Sequence, residues 1–206
     1  MIYEVRTYDL KMRSLGEVIK QFGDVIEPRQ KLSPLIGCWY TEFGPLNQLI
    51  HIWSYESFEE RAAVRAETAH LDGWPPQLGD FILKQSAEVY GLWPFSPKLT
   101  PGNHGPYYEM RSYLIHADRM ALTKEKWERS LPERVKRSPL ATIMECEIGT
   151  ASKILHIWPY NSLDERMAIR NQAVADGIWP PKGDGPIDVI SQENKLMMPV
   201  LFSPMQ

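Results

Sequence analysis

The sequence predicts an α+β protein built of two tandem ferredoxin-like units, each running β-α-β-β-α-β. Three motifs return at one spacing of 105 residues: Tyr3-Glu4-Val5-Arg6-Thr7-Tyr8 as Tyr108-Glu109-Met110-Arg111-Ser112-Tyr113, His51-Ile52-Trp53-Ser54-Tyr55 as His156-Ile157-Trp158-Pro159-Tyr160, and Trp74-Pro75-Pro76 as Trp179-Pro180-Pro181. Around these motifs, period-two and period-3.6 hydrophobic patterns follow one another in the same order in both halves. The repeat is too long for a solenoid unit and fits a duplicated small domain.

Each element has its own warrant. Residues 2–8 alternate and are rich in β-branched and aromatic side chains, which marks a strand. Leu15, Val18, Ile19, Phe22, Val25 and Ile26 step by three and four along one amphipathic helix, which Pro28 is expected to close. Strands over 37–43 and 48–54 flank the turn Gly44-Pro45-Leu46-Asn47. Ser57 with Glu60, and Ser162 with Glu165, are capping boxes that start the second helix of each half. These helices run to about residues 70 and 175 and stop at the Trp-Pro-Pro turns. Strands near 82–91 and 187–195 complete the order. The first helix of the second half, around 120–131, has a weaker apolar stripe. Pro94, Pro97, Pro101, Gly102, Gly105 and Pro106 punctuate the join, so the domains are placed at 1–99 and 106–206.

Composition narrows the class. The 206 residues are 43% hydrophobic and 24% charged, with a net charge of −3, enough apolar content for a core without metals or disulfides. A near-neutral balance offers no footprint for nucleic acid or anionic lipid. Met1 leads straight into strand-like sequence, and the longest apolar runs are far short of the roughly 20 residues of a membrane span. A cytoplasmic protein with no membrane partner is expected. Cys38 and Cys146 lie 108 apart, out of register with the repeat, and are expected to be reduced, half-buried thiols.

The motif Tyr3-Glu4-Val5-Arg6-Thr7-Tyr8, the segment Gly37-Cys38-Trp39-Tyr40-Thr41-Glu42-Phe43-Gly44-Pro45-Leu46-Asn47-Gln48, and His51-Ile52-Trp53-Ser54-Tyr55 followed by Glu60-Arg61 and Arg65 together resemble the NIPSNAP family. The second half is similar more loosely, keeping Tyr108, Glu109, Arg111, His156, Trp158, Glu165, Arg166, Arg170 and Trp179, with Gly149-Thr150-Ala151-Ser152 in place of the Gly-Pro-Leu-Asn turn. The resemblance implies the dimeric α+β-barrel architecture, here as an intramolecular barrel formed by the two units. Members of that wider group include cofactor-independent monooxygenases, muconolactone isomerases and haem binders, and the animal NIPSNAP proteins are linked to vesicle traffic and mitophagy. It implies no catalytic residue that can be carried over.

Alternation places Glu4, Arg6 and Tyr8 on one face of the first strand, and His51, Trp53 and Tyr55 on one face of the third. With Tyr3, Val5, Ile50 and Ile52 packed under the helices, this polar face is expected to line the space between the two halves. Glu109, Arg111, Tyr113, His156 and Trp158 repeat it. A histidine beside a carboxylate can serve as general acid or base, so His51 and His156 are the candidate catalytic groups. Arg6 and Arg111 can hold a carboxylate or enolate, and Glu4, Tyr8, Trp53, Glu109, Tyr113 and Trp158 complete the candidate binding set. The structural alternative is that Glu4–Arg6 and Glu109–Arg111 are buried ion pairs knitting the sheets together, with each histidine hydrogen-bonded to them. Arg61, Arg65, Arg166 and Arg170 are expected on solvated helix faces. His70, His104 and His116 lack repeat partners and are expected at the surface.

No cysteine or second histidine stands at zinc-ligand spacing, and no metal or cofactor is expected, haem being the one alternative. Three functions stay open: binding of a small organic molecule between the sheets, with oxygenase- or isomerase-type chemistry; a non-catalytic adaptor; or a haem-binding barrel. The drift of the second half predicts a single working site, and open strand edges leave homo-oligomers open.

Overall fold

The computed structural model describes residues 1–181 and 189–206. The first half contains β1 (Ile2–Leu10), α1 (Leu15–Gln30), β2 (Leu35–Phe43), β3 (Gln48–Tyr55), α2 (Phe58–Thr68) and β4 (Ile82–Leu92). The second contains β5 (Tyr107–Ile115), a 3-10 turn, α3 (Met120–Val135), β6 (Thr142–Ile148), β7 (Lys153–Tyr160), α4 (Leu163–Ala175) and β8 (Val189–Pro199). The order is the expected one, twice.

The eight strands pair antiparallel and close into one barrel in the order β1-β3-β2-β8-β5-β7-β6-β4. Each half contributes four adjacent strands, and the halves meet along β2–β8 and β4–β6. The described part of the last strand runs from Val189 to Pro199. β4 and β8 correspond at an offset of 107, and the first two residues of the expected 187–195 strand lie outside the described residues.

The faces are reversed from expectation. Tyr3, Val5, Trp39, Ile50, Ile52, Tyr108, Met110, Ile157 and Met197 point into the barrel and fill it. The polar face lies outside, under the helices. The physical reason is plain. An eight-stranded interior is just wide enough for side chains to fill, so it takes the face without charges. The outer face is covered by α2 and α4, which carry the guanidiniums that a buried carboxylate requires.

Inside the barrel, size is matched between neighbours two apart on a strand. A Cβ on Gly37 would lie 2.1 Å from Cη2 of Trp39, so β2 combines the smallest residue with the largest. At the corresponding points of β6 stand Thr142 and Met144, both completely buried. Two further expectations need correction. α1 runs through Pro28 to Gln30, and Cys38 is fully buried. A proline in the last turn removes only one backbone bond, and the turn beyond it is held by Arg29, which donates to Ser33 Oγ at 2.8 Å and to the Tyr55 hydroxyl at 2.9 Å.

Both capping boxes form. Ser57 accepts from the Glu60 N–H at 3.2 Å and Ser162 from that of Glu165 at 3.0 Å. The glutamates reach back to the N–H of Glu56 and Asn161, one residue before the cap. Each half also ends in a Ser-Pro segment that crosses to the other. Ser96 Oγ accepts from the Ile143 N–H at 2.8 Å, and Ser203 Oγ accepts from the Cys38 N–H at 2.9 Å.

Candidate functional site

The site begins with a carboxylate that strand alternation forces under a helix. Glu4 is 1% exposed. Arg61 on α2 donates to both of its oxygens, each at 3.1 Å, with Arg6 at 3.3 Å and Arg65 at 3.6 Å. The second half repeats this around Glu109: Arg166 at 3.1 and 2.6 Å, Arg111 at 2.8 Å and Arg170 at 3.7 Å. Arg61, Arg166 and Arg170 are therefore half-buried and not the solvated positions expected, whereas Arg65 is exposed as expected yet still reaches Glu4. Their 3.6-residue spacing points them at the sheet. The ion pairs join sheet to helix within one half, and do not join the two sheets. Burial of Glu109 would raise its pKa, but the hydrogen bonds from Arg166 and the charges of Arg111, Arg166 and Arg170 hold it below the ordinary range.

The histidines are not bonded to these pairs. Trp53 Nε1 donates to His51 Nδ1 at 2.7 Å, and Trp158 Nε1 donates to His156 Nδ1 at the same distance. An indole N–H can only donate, so Nδ1 is unprotonated and the neutral ring carries its proton on Nε2. Burial first, then the charges of Arg6 and Arg29, push the His51 pKa well below the usual 6.5. Burial, with Arg111, Arg170 and Arg134, does the same for His156. Both rings are neutral at physiological pH, and Nε2 of each is buried without a partner.

The structure brings the five first-half candidates together. Glu4, Arg6, Tyr8, His51 and Trp53 line one cavity of about 250 Å³, completed by Arg29, Tyr55, Arg65, Thr68, Ala69, Trp74 and Pro75. Trp74 meets Trp53 edge-on at 6.2 Å and Phe22 at 5.5 Å. Glu109, Arg111, Tyr113, His156 and Trp158 gather in the same way under α3 and α4, on the opposite side of the barrel. The two sets do not meet.

Arg29 is the residue that the sequence reading missed. It is 4% exposed, lies 4.0 Å from the centre of the Trp53 ring, and links to Glu4 through Tyr55, whose hydroxyl donates onward at 3.4 Å. Burial lowers its pKa, against the pull of Tyr55 and Glu4. Arg134 repeats it over Trp158 at 4.4 Å. The 105-residue offset relates the two arginines and was the available signal. His70, His104 and His116 are exposed as expected.

An eight-stranded barrel closed by two ferredoxin-like units of one chain, with its charged sheet face clasped beneath the helices, is a fused dimeric α+β barrel. The chain belongs to the NIPSNAP family, whose model matches residues 3–97 and again residues 108–204. It is 30% identical over 213 residues to NipSnap homolog 3B of Mus musculus, covering 99% of this chain and 85% of that protein. It is 26% identical over 206 residues to a NipSnap homolog of Dictyostelium discoideum, covering 97% and 87%. Among solved structures it is similar to a candidate monooxygenase from Lactobacillus acidophilus, with a TM-score of 0.69 at 11% identity over 96% of this chain and 92% of that one. At that identity the likeness concerns the fold. Among the described residues, no helix is long and apolar enough to cross a membrane, and no group of three or more His, Cys, Asp or Glu could hold a metal ion.

Proposed function

We propose that the protein binds a small organic molecule in the first-half cavity, under the helices and not between the two sheets. The observation that carries this reading is a cavity of about 250 Å³ on which charged groups, a neutral imidazole and two indoles converge. Aromatic walls with a few convergent polar groups are the usual form of such a site. At about 30 Å³ per water, the volume matches about eight waters, which suits a single-ring metabolite.

His51 would act as a donor through Nε2 and not as a base, because the Trp53 N–H occupies the other nitrogen. A neutral imidazole of this kind can polarise a substrate carbonyl, which would suit isomerase- or oxygenase-type chemistry on a bound ligand. Both oxygens of Glu4 already accept from Arg61, so binding has more support than catalysis. Haem has less support still: the space is small, and the ring of His51 is enclosed by Tyr8, Phe22 and Trp53.

Ala69 is exposed at the C-terminus of α2, on the cavity wall, so Ala69→Phe blocks the space without disturbing the core. A ligand binding only the native state at 100 times its Kd adds about 2.7 kcal/mol of stability. A small-molecule thermal-shift screen should yield compounds that stabilise the wild type and not Ala69→Phe. Hits that stabilise both equally would place binding elsewhere and refute the reading.

A further inference from the structure

We propose that the first-half cavity takes the carboxylate of a small planar organic acid, and that the second half, built from the same residues, commits the guanidinium nitrogen corresponding to Arg6 Nε to its own Tyr113. This rests on the cavity being the ligand site.

Charge comes first. The lining holds three guanidiniums, Arg6, Arg29 and Arg65, against the single carboxylate of Glu4. That carboxylate is already taken, both its oxygens accepting from Arg61, which is not part of the lining. Arg29 is almost fully buried, yet its bonds go to a serine, a tyrosine and an indole face, all neutral. Buried charge left without a counter-charge is costly. An anion entering the cavity would supply it.

Unpartnered donors come next. Arg6 and His51 are direct cross-strand partners on β1 and β3, which brings their Cβ atoms to about 5 Å on one face. Arg6 Nε and His51 Nε2 are both buried and both lack a hydrogen-bond partner. Each can only donate, Arg6 by chemistry and His51 by its tautomer. A carboxylate presents two acceptor oxygens in one plane and answers two neighbouring donors and the excess charge together. A neutral carbonyl has a single oxygen and leaves the charge unanswered. The indoles of Trp53 and Trp74 supply walls for a flat body behind the carboxylate.

The second half shows the alternative. Arg111 Nε donates to the Tyr113 hydroxyl at 2.7 Å. Asn194 Nδ2 donates to Glu109 at 2.8 Å. Asn194 stands opposite Arg111 on β8, and at the matching point of β4, opposite Arg6, stands Ala87. Trp127 occupies the place of Phe22, 4.8 Å from Trp179 where Phe22 lies 5.5 Å from Trp74. One clasp is closed by its own side chains, and the other keeps an unpartnered guanidinium nitrogen and a smaller neighbour.

The test uses benzoate and salicylate, their carboxamides and inorganic phosphate, titrated against the full chain by NMR. The reporters are the Arg Nε–H and Trp indole resonances. Benzoate or salicylate should shift the Arg6 Nε–H and Trp74 signals saturably, with the amides at least tenfold weaker. Ala87→Asn, a change at an exposed strand position, should weaken acid binding at least fivefold by supplying Glu4 with the donor that Glu109 already has. Arg6→Lys, which keeps the charge and removes the Nε donor, should do the same. Amides binding as tightly as acids would overturn the carboxylate assignment and leave the cavity reading intact. Phosphate binding as tightly as benzoate would overturn the organic-acid assignment. Undiminished affinity in Ala87→Asn would refute the contrast between the halves. If no compound moves Trp74 or Arg6, the cavity reading falls as well.

Discussion

The two buried histidines make stability depend on pH below about 6.5. In the folded protein both pKa values lie well below 6.5, whereas in the unfolded chain they are near 6.5. Below pH 6.5 the unfolded state therefore binds protons that the native state refuses, and stability falls as pH falls. Above 6.5 neither state is protonated and the effect vanishes. One unit below, at pH 5.5, each histidine costs RT ln 11, about 1.4 kcal/mol, so the pair costs about 2.8 kcal/mol. For a chain of this size that is about 6–11 °C in Tm. Glu109, whose folded pKa is depressed, contributes stability that is lost only as pH falls below about 4.5. Urea unfolding at pH 7.5, 6.5 and 5.5 reads the slope, and histidine ring NMR identifies its source. Equal unfolding free energies at pH 7.5 and 5.5, or ring signals of His51 and His156 titrating near 6.5 in the native protein, would refute the reasoning.

Two further substitutions test the packing and the charge clasp. Gly37→Ala puts a methyl 2.1 Å from a fully buried indole, and overpacking of this kind costs about 1–3 kcal/mol. The urea midpoint should fall accordingly, and Gly37→Ala with Trp39→Met should recover part of the loss, since β6 already carries the Thr142 and Met144 pairing. Glu109→Gln leaves three guanidiniums without their shared anion and should cost about 3 kcal/mol in urea unfolding. Glu4→Gln should cost less, because Arg6, Arg61 and Arg65 are 22%, 25% and 46% exposed where Arg111, Arg166 and Arg170 are 12%, 17% and 33%. Equal losses would show that solvent screening is not what distinguishes the two clasps.

The element order was legible because alternation and helical periodicity are local, and the 105-residue offset tested every assignment twice. The face that enters the barrel was not. In β1 both faces carry an aromatic, and in β3 Ile50 and Ile52 stand against Leu49 and Trp53, so alternation sorts Tyr3 from Glu4 without saying which is inside. What decides is the partner of the carboxylate, and Arg61 sits on a helix 57 residues along the chain from Glu4. Arg29 was hidden for another reason. Pro28 reads as a helix stop, which puts the next residue in a loop, whereas tertiary bonds to Ser33 and Tyr55 carry the helix past it. The contrast between Ala87 and Asn194 is invisible at an offset of 105. It appears only when the strands are aligned by their pairing, at an offset of 107.

The exchange of chain ends bears on why a duplicated barrel would keep unequal clasps. Phe202, from the end of the second half, stacks on Phe22 of α1 at 5.9 Å and so forms part of the packing behind the first-half cavity. Phe95, from the end of the first half, lies 5.5 Å from Trp93 beside α3. Each helix layer is thus completed by the other half, and a change in one half's tail reaches the other half's site. In two identical copies, every substitution that opens one cavity opens both, and two clasps lose internal hydrogen bonds together. Once the copies share a chain, one can keep Arg111 Nε satisfied by the Tyr113 hydroxyl and Glu109 by the Asn194 amide. The other is then free to leave Arg6 Nε unpartnered. Loss of stability at the open clasp is tolerable because the closed one does not share it, and this is a physical reason for fusion to accompany asymmetry at the site.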